Sequence, residues 1–411
     1  MKTLIKSALV LDPQSAHHGK RRDLLLNQGK IISIAADIQE SRVNTIEAGG
    51  LCVSPGWIDL KANFCDPGFE FKEDLNSGIE AARRGGFKKV VLFPSTLPVI
   101  DSKSMVEYIR KNTGGKNVEV LVAGSLSEKM EGKQLSEMFD MHAAGAIAFT
   151  DDKRNVSAEL MSRALEYARN FNGLVMSFPY ERSVSTGGQM NEGAASVSLG
   201  MKGIPNVSEE MRVLRDLELL RYHGGRLHFM LISSARSVEL IRKAKKEGLK
   251  VTCAVAAHQL SFLDEDLATF DSNFKVLPPF RTREDRKALI SGLKDGTIDA
   301  ICSDHTPEDI EHKVREFEDA EFGISSIETA FCSAWSALEN QMEIEEVIRL
   351  FASGPAQVLG ITSSKIAEGE PADVTVFSTK GSTTIRKDTW TSKSFNTPFA
   401  GKSLPGVVYP V

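Results

Sequence analysis

No CxxC pair occurs anywhere in the chain. Its five cysteines, Cys52, Cys65, Cys253, Cys302 and Cys332, lie far apart, which argues against a disulfide framework and a zinc knuckle and leaves buried thiols in a reducing compartment. Nor is there an excess of charge of one sign. With 50 Lys and Arg against 55 Asp and Glu, the net charge is -5, and no basic stripe of the kind that nucleic acid demands is present. No stretch reaches the about 18 to 20 apolar residues of a membrane span. The first residues, MKTLIKSALVLDPQSAHHGKRRD, break a short apolar run with Lys6 and Asp12, so the expectation is a cytoplasmic protein with neither membrane nor nucleic acid as partner. Internal repeats, low-complexity tracts and charge blocks are absent as well.

What the chain does have is enough apolar sequence for a large core, at 41% against 26% charged residues. A length of 411 residues calls for one large barrel with an accessory domain, or for two to three domains. Eight short apolar or β-branched runs stand out: VSPGWIDL, KVVLFPS, VEVLVAGSL, AIAFTDD, LVMSFP, RLHFMLIS, LKVTCAVAA and IDAICSD. Between them lie segments of helical period such as LNSGIEAARRG, AELMSRALEYARNF and SVELIRKAKKEG, with apolar residues three or four apart. Eight strand and helix units in alternation predict an α/β fold, a (β/α)8 TIM barrel over residues 52–359, because parallel strands need crossover helices. The flanks differ, with strand-like runs and turn signals in residues 1–51 and again in 360–411. They predict one composite β-sandwich domain built from both termini. The Gly- and Ser-rich stretch SVSTGGQMNEGAASVSLGMKGIP is expected to be a mobile loop on the face where barrel sites are built.

Residues 55–68, PGWIDLKANFCDPG, have the frame of a metal-binding strand without its ligands. Lys61 carries a charge that repels a cation, and the amide oxygen of Asn63 is weak beside imidazole or thiolate.

The strings PGWIDL, DPGFEFKEDLNSGIEAARRGGF, FPST, GAIAFTDD, GIPNVSEE, NFKVLPPFRTREDRKALISGLKDGTIDAICSDHTP, FGISSIETAF and NTPFAGK resemble, in order and spacing, the bacterial dihydroorotases of the amidohydrolase superfamily. The resemblance implies a metal-dependent-hydrolase barrel holding one or two zinc ions, and the reversible cyclisation of carbamoyl-aspartate to dihydroorotate in pyrimidine biosynthesis. It also implies site residues, and there the chain departs. Lys61 and Asn63 stand where the family has His-x-His, and Cys65 stands where its Arg grips the substrate carboxylate. Ser95 replaces a substrate-binding Asn, and Leu277 replaces another. Asp151 matches the bridging carboxylate, with Lys153 where a Gly follows. Phe178 and Leu231 replace the His ligands of the fifth and sixth strands. His228 cannot substitute, since three positions along a strand reverse the face. Asp304 matches the metal ligand and general base, as a vestige, and is followed by His305, while Glu308 replaces a His.

Four His ligands and three substrate contacts are thus missing, although the resemblance implies chemistry in which a metal lowers the pKa of bound water to about 7. The expectation is a protein without cofactor, zinc included. Lys61 either reaches solvent at its strand end or pairs with Asp304 or Asp151, since buried carboxylates need a compensating charge. His258 is either a capped loop histidine or a ligand contact. His17, His18 and His142 are expected in solvent, and the acidic string EDIEHKVREFEDAEFG is a solvated loop or a cation site. The preferred function is a catalytically inactive dihydroorotase homologue kept as a scaffolding or regulatory subunit. It would form a homo-oligomer or associate with aspartate transcarbamoylase, as the resemblance implies. The alternatives are a functional dihydroorotase or related cyclic amide hydrolase using a rearranged site around Asp304, His305, His258 and Lys61, and a small-ligand sensor.

Overall fold

The computed structural model describes residues 2–411. Strands β1 (Thr3–Val10), β2 (Arg21–Asn27), β3 (Lys30–Ala35), β4 (Asn44–Ile46) and β5 (Leu51–Pro55) come from the N-terminal end. The chain then runs through β6 (Trp57–Ala62), β7 (Phe87–Leu92), β8 (Glu119–Gly124), β9 (Ala146–Phe149) and β10 (Leu174–Ser177). Two short strands follow, β11 (Met190–Asn191) and β12 (Gly203–Ile204), then β13 (Arg226–Phe229), β14 (Val251–Ala256) and β15 (Ala300–Cys302). The C-terminal end contributes β16 (Val374–Thr384) and β17 (Ser403–Tyr409).

Each of the eight apolar runs contains one strand of a single sheet, in the order β15-β14-β13-β10-β9-β8-β7-β6, with its ladders parallel. The ring closes at one end through a parallel bridge between Ala62 and His305. Asp59 adds to the closure, since its buried carboxylate accepts from the Ser303 backbone N–H at 2.8 Å and from the Ser303 hydroxyl. Alternate strand residues, among them Leu60, Val91, Ala123, Met176, Ala254 and Ala300, fill the inside, and those between them, such as Val90, Val122, Val175 and Val255, pack outwards against helices. The helices begin where capping residues allow. Asp74 accepts from the N–H groups of Asn76 and Ser77 at 2.8 and 2.9 Å and opens the helix Leu75–Arg84, while Thr282 caps Arg283–Lys294 in the same manner.

The second sheet has seven strands, β17-β16-β5-β1-β2-β3 with β4 beside β1, so strands from the two ends of the chain lie side by side. Trp57, the first residue of the barrel and fully buried, rivets the two sheets together. Its ring lies 5.2 Å from Phe377 of β16, 4.8 Å from Phe331 and 5.4 Å from Phe351, and its indole N–H donates to Ser54 at 3.0 Å.

The stretch 183–205, expected as a mobile loop, contains short elements of its own. β11 and β12 pair within it in parallel, and the short helix Ala194–Leu199 fills the gap between them. Buried Arg281 ties the excursion to the barrel by donating to Asn191 at 2.9 Å and to the Ile204 carbonyl at 2.7 Å.

Candidate active site

The C-terminal ends of the barrel strands converge on a small buried group of charges. β6 shifts register between Asp59 and Ala62. The irregularity interrupts the alternation that puts Ile58 and Leu60 inside the barrel and turns Lys61 into the mouth. The Lys61 ammonium lies 2.7 Å from Asp304 Oδ1, with both side chains 1% exposed, and donates to Thr306 Oγ1 at 2.7 Å. Lysine and aspartate are therefore direct partners, and the reading that sends Lys61 to solvent is wrong. A second ammonium, that of Lys153, lies 3.3 Å from Asp304 and 5.9 Å from the Phe178 ring.

Asp151 is not part of this group, contrary to its expected role. Its carboxylate accepts from the Leu126 and Ser127 N–H groups at 2.8 and 2.9 Å and from the Ser127 hydroxyl, so it secures the turn after β8. Its neighbour Asp152 faces the mouth instead. Asp152 accepts from the Ser95 hydroxyl at 2.6 Å and from the Asn63 amide at 3.4 Å. The exchange follows from backbone conformation: Asp152 has φ 49°, and Cys65, Leu231 and Asp304 share that left-handed region at φ 60°, 52° and 53°. Such conformations are costly for residues other than Gly and cluster at sites.

The remaining residues complete the wall. His258 is buried 4.0 Å from Asp304 Oδ2, edge-on to Phe280, with both ring nitrogens unpartnered. His305 faces away from the charges, its Nε2 3.4 Å from Glu73 and its Nδ1 accepting from the Ser326 N–H. Phe178, Leu231 and Leu277 are buried in one apolar cluster with Phe93. Cys65 is buried, and Glu308 reaches outwards to Lys72 at 2.6 Å. His228 points out of the mouth, to Thr252 at 2.8 Å.

Electrostatics follow from this layout. Burial opposes the charge on Lys61, but the attraction of Asp304 and Asp152 outweighs it and raises the ammonium above the usual lysine range. Asp304 also resists burial, and Lys153, Lys61 and His258 hold its carboxyl below the usual value. Burial lowers Lys153, pushes His258 down to about 4 and pushes the Cys65 thiol up to about 12. At neutral pH a Lys61 ammonium, an Asp304 carboxylate and a neutral His258 imidazole therefore face one another in the mouth.

The arrangement does not fit a zinc ion. A site for zinc needs three or four imidazole, thiolate or carboxylate donors around one point. Here an ammonium is the direct partner of Asp304, Phe178 and Leu231 offer no donor, and the described residues contain no group of three or more His, Cys, Asp and Glu arranged for a metal.

A family model described as dihydro-orotase-like matches residues 50–237. The dihydroorotase of Syntrophus aciditrophicus is 40% identical over 413 residues, covering 99% of this chain and 97% of its own. That of Thermoanaerobacter is 39% identical over 412 residues, covering 99% and 95%. Among solved structures, the L-hydantoinase (dihydropyrimidinase) of Arthrobacter aurescens superposes with a TM-score of 0.84 at 21% identity, over 99% of this chain and 93% of that one. The dihydropyrimidinase of Brevibacillus agri gives 0.82 at 20%, over 99% and 93%. At such identity the structural likeness shows the fold alone, an α/β TIM barrel. The sequence matches also correct the expectation of a protein without cofactor. Relatives named dihydroorotase cover the chain end to end, and the resemblance ties their family to zinc, so altered ligand positions are no ground for a cofactor-free protein.

Asp152 and Lys153 are the mouth residues that sequence reasoning did not place there. The FTDDK string names two adjacent aspartates, and only the left-handed turn at the second decides which of them points inwards.

Proposed function

The chain belongs to the dihydroorotase-like family, and on that premise we propose that it serves pyrimidine synthesis as a dihydroorotase homologue whose barrel mouth does not cyclise carbamoyl-aspartate. One observation carries the reading: the Lys61 ammonium sits 2.7 Å from Asp304 in the mouth of the barrel, with both side chains buried. Ring closure and opening need a base that takes up a proton, and a base works best with a pKa near the working pH. Asp304 is held below the ordinary carboxylate range by Lys153 and Lys61. To accept a proton it would have to give up both partners in a buried site, which is costly. His258, at about 4, is a weak base as well. Substrate binding is weakened on the same side, since Cys65 is neutral and Leu277 apolar where the resemblance implies charged and amide contacts.

The retained role we propose is that of a scaffolding or regulatory subunit, as a homo-oligomer or with aspartate transcarbamoylase, the partner the resemblance implies. Copurification of the two proteins at fixed stoichiometry supports it, and separate elution contradicts it.

A second reading, a working dihydroorotase with a rearranged site, is favoured by the names of the full-length relatives at 39 to 40% identity, which back it better than they back the silent one. Lys153, Asp304 and His258 would then move the proton. Growth separates the two readings. In a bacterium lacking its own dihydroorotase, the silent reading expects the chain not to restore growth without uracil, and restored growth favours the second.

A further inference from the structure

The helix Asn206–His223 has its polar and apolar sides inverted. Its barrel side carries charge, with Glu209, Arg212 and Asp216 all buried. Glu209 accepts from the Ser233 and Ser234 N–H groups at 2.9 and 3.0 Å, and Asp216 accepts from the Ser177 hydroxyl at 2.6 Å. Polar bonds thus fasten the helix to β10 and to the turn after β13, with Val213, Leu217 and Leu220 packed beneath it. The solvent side is apolar. Val207, Met211 and Leu214 are 43%, 47% and 47% exposed, and Tyr222 stands out further along. A helix on the outside of a barrel ordinarily turns its charged residues to water. Single exposed apolar residues need no explanation, but a row of them over a charged buried side marks a surface that another body covers.

We propose that this surface pairs two copies of the chain, the helix Asn206–His223 of one lying antiparallel on that of the other about a two-fold axis at Leu214. The pairing rests on the homo-oligomer arm of the scaffolding role and not on the silence of the mouth. Spacing and charge both specify a second copy. Val207, Met211 and Leu214 step by four and three, and Glu218 and Arg221 continue the seam as an ion pair at 2.5 Å. That spacing packs one helix on another at a shallow angle, and the 18 residues of this helix offer about 27 Å of length for it. Glu210 lies four residues before Leu214 and Arg221 seven after it, on the same flank. Antiparallel pairing brings Glu210 to within about 4.5 Å, along the helix axis, of Arg221 in the second copy, and symmetry repeats the contact at the other end. Within its own chain Glu210 meets the Ser234 hydroxyl at 2.8 Å and Arg236 at 4.0 Å. Arg221 is 41% exposed and also meets Glu247 at 2.5 Å, and its five N–H donors leave room for a further carboxylate.

Sedimentation of the full chain at micromolar concentration reads the mass directly, and the wild type should run at twice the mass of one chain. Leu214→Glu sets two carboxylates together at the axis and should raise the dissociation constant at least about a hundredfold. Its circular dichroism and melting midpoint should match those of the separated wild-type chain, because the side chain is half exposed. Leu214→Cys should form a disulfide between copies under mild oxidation, since the five native cysteines are buried and the two new thiols face each other across the axis. If Leu214→Glu fails to fold, the wild-type mass and the cross-link decide the matter. A wild type that stays monomeric, a Leu214→Glu chain that pairs as tightly as the wild type, or a dimer in which Leu214→Cys forms no cross-link overturns the proposal. Neither copurification with aspartate transcarbamoylase nor turnover enters this readout, so failure of the pairing is told apart from failure of the other scaffolding arm and of the silent reading.

Discussion

Replacing Lys61 by Met keeps the bulk of the side chain and removes its charge from a site 1% exposed. Asp304 then keeps Lys153 as its one remaining lysine partner. Breaking a buried pair by removing one partner costs about 3 to 5 kcal/mol. Lys153, 3.3 Å from Asp304, keeps part of the compensation, so the expected loss is towards the lower figure. Asp304→Asn leaves the buried Lys61 ammonium without its carboxylate, still donating to Thr306, and should cost a similar amount. The double variant Lys61→Met with Asp304→Asn removes both partners of the pair and leaves neither unpaired. Its loss should be smaller than the sum of the single losses by about 2 to 3 kcal/mol, as contacting partners show. Urea unfolding at pH 7, with m values that match across the four proteins, measures the cycle. Losses that add to within about 0.5 kcal/mol would refute the internal ion pair as an energetic unit.

His258 gives a pH test. Its pKa falls from 6.5 to about 4 on folding, so below pH 6.5 the unfolded chain takes up the proton first. Stability contributed by the neutral ring is present above 6.5 and lost as the pH falls to 4, by about 3 kcal/mol at that point. Between pH 7 and 4 the wild type should lose about that much more than His258→Gln. Asp59, pushed up to about 6 by burial, titrates in both proteins and cancels, and parallel curves would contradict the assignment. Asp151→Ala should lower stability by on the order of 3 kcal/mol, because the Leu126 and Ser127 N–H groups and the Ser127 hydroxyl lose their acceptor. A loss under about 0.5 kcal/mol in urea would mean that the turn does not depend on it. Trp57→Ala, which opens the aromatic junction between the barrel and the seven-stranded sheet, should cost about 3 to 5 kcal/mol. An unchanged melting midpoint would show that the junction contributes nothing to stability.

The barrel was legible because parallel strands covered on both faces leave continuous apolar runs, and each run contains one strand. Position at a strand end was legible too, since Lys61, Phe178, Leu231, His258 and Asp304 lie near or just beyond the ends of such runs. What could not be read was orientation after the last ladder residue. Leu231, Asp152 and Asp304 leave their strands in the left-handed region, where the two-residue alternation no longer holds. That is why Asp151 was expected in the mouth and Asp152 was not, and why Lys153 looked like a lost glycine rather than a second cation. The short elements of the stretch 183–205 were hidden for another reason: its Gly and Ser content says nothing of Arg281, which reaches it from a segment about 80 residues further along the chain. The partner of Lys61 was open between two carboxylates, and packing decided it.

The measurement that bears most directly on the silent mouth is turnover by the purified chain in both directions, carbamoyl-aspartate to dihydroorotate and back, with zinc supplied so that metal supply does not limit the rate. With Asp304 tied to Lys61 and Lys153, the rate should stay at background and be the same for wild type and Asp304→Asn. A wild-type rate above background that disappears in Asp304→Asn would contradict the account and establish a working dihydroorotase.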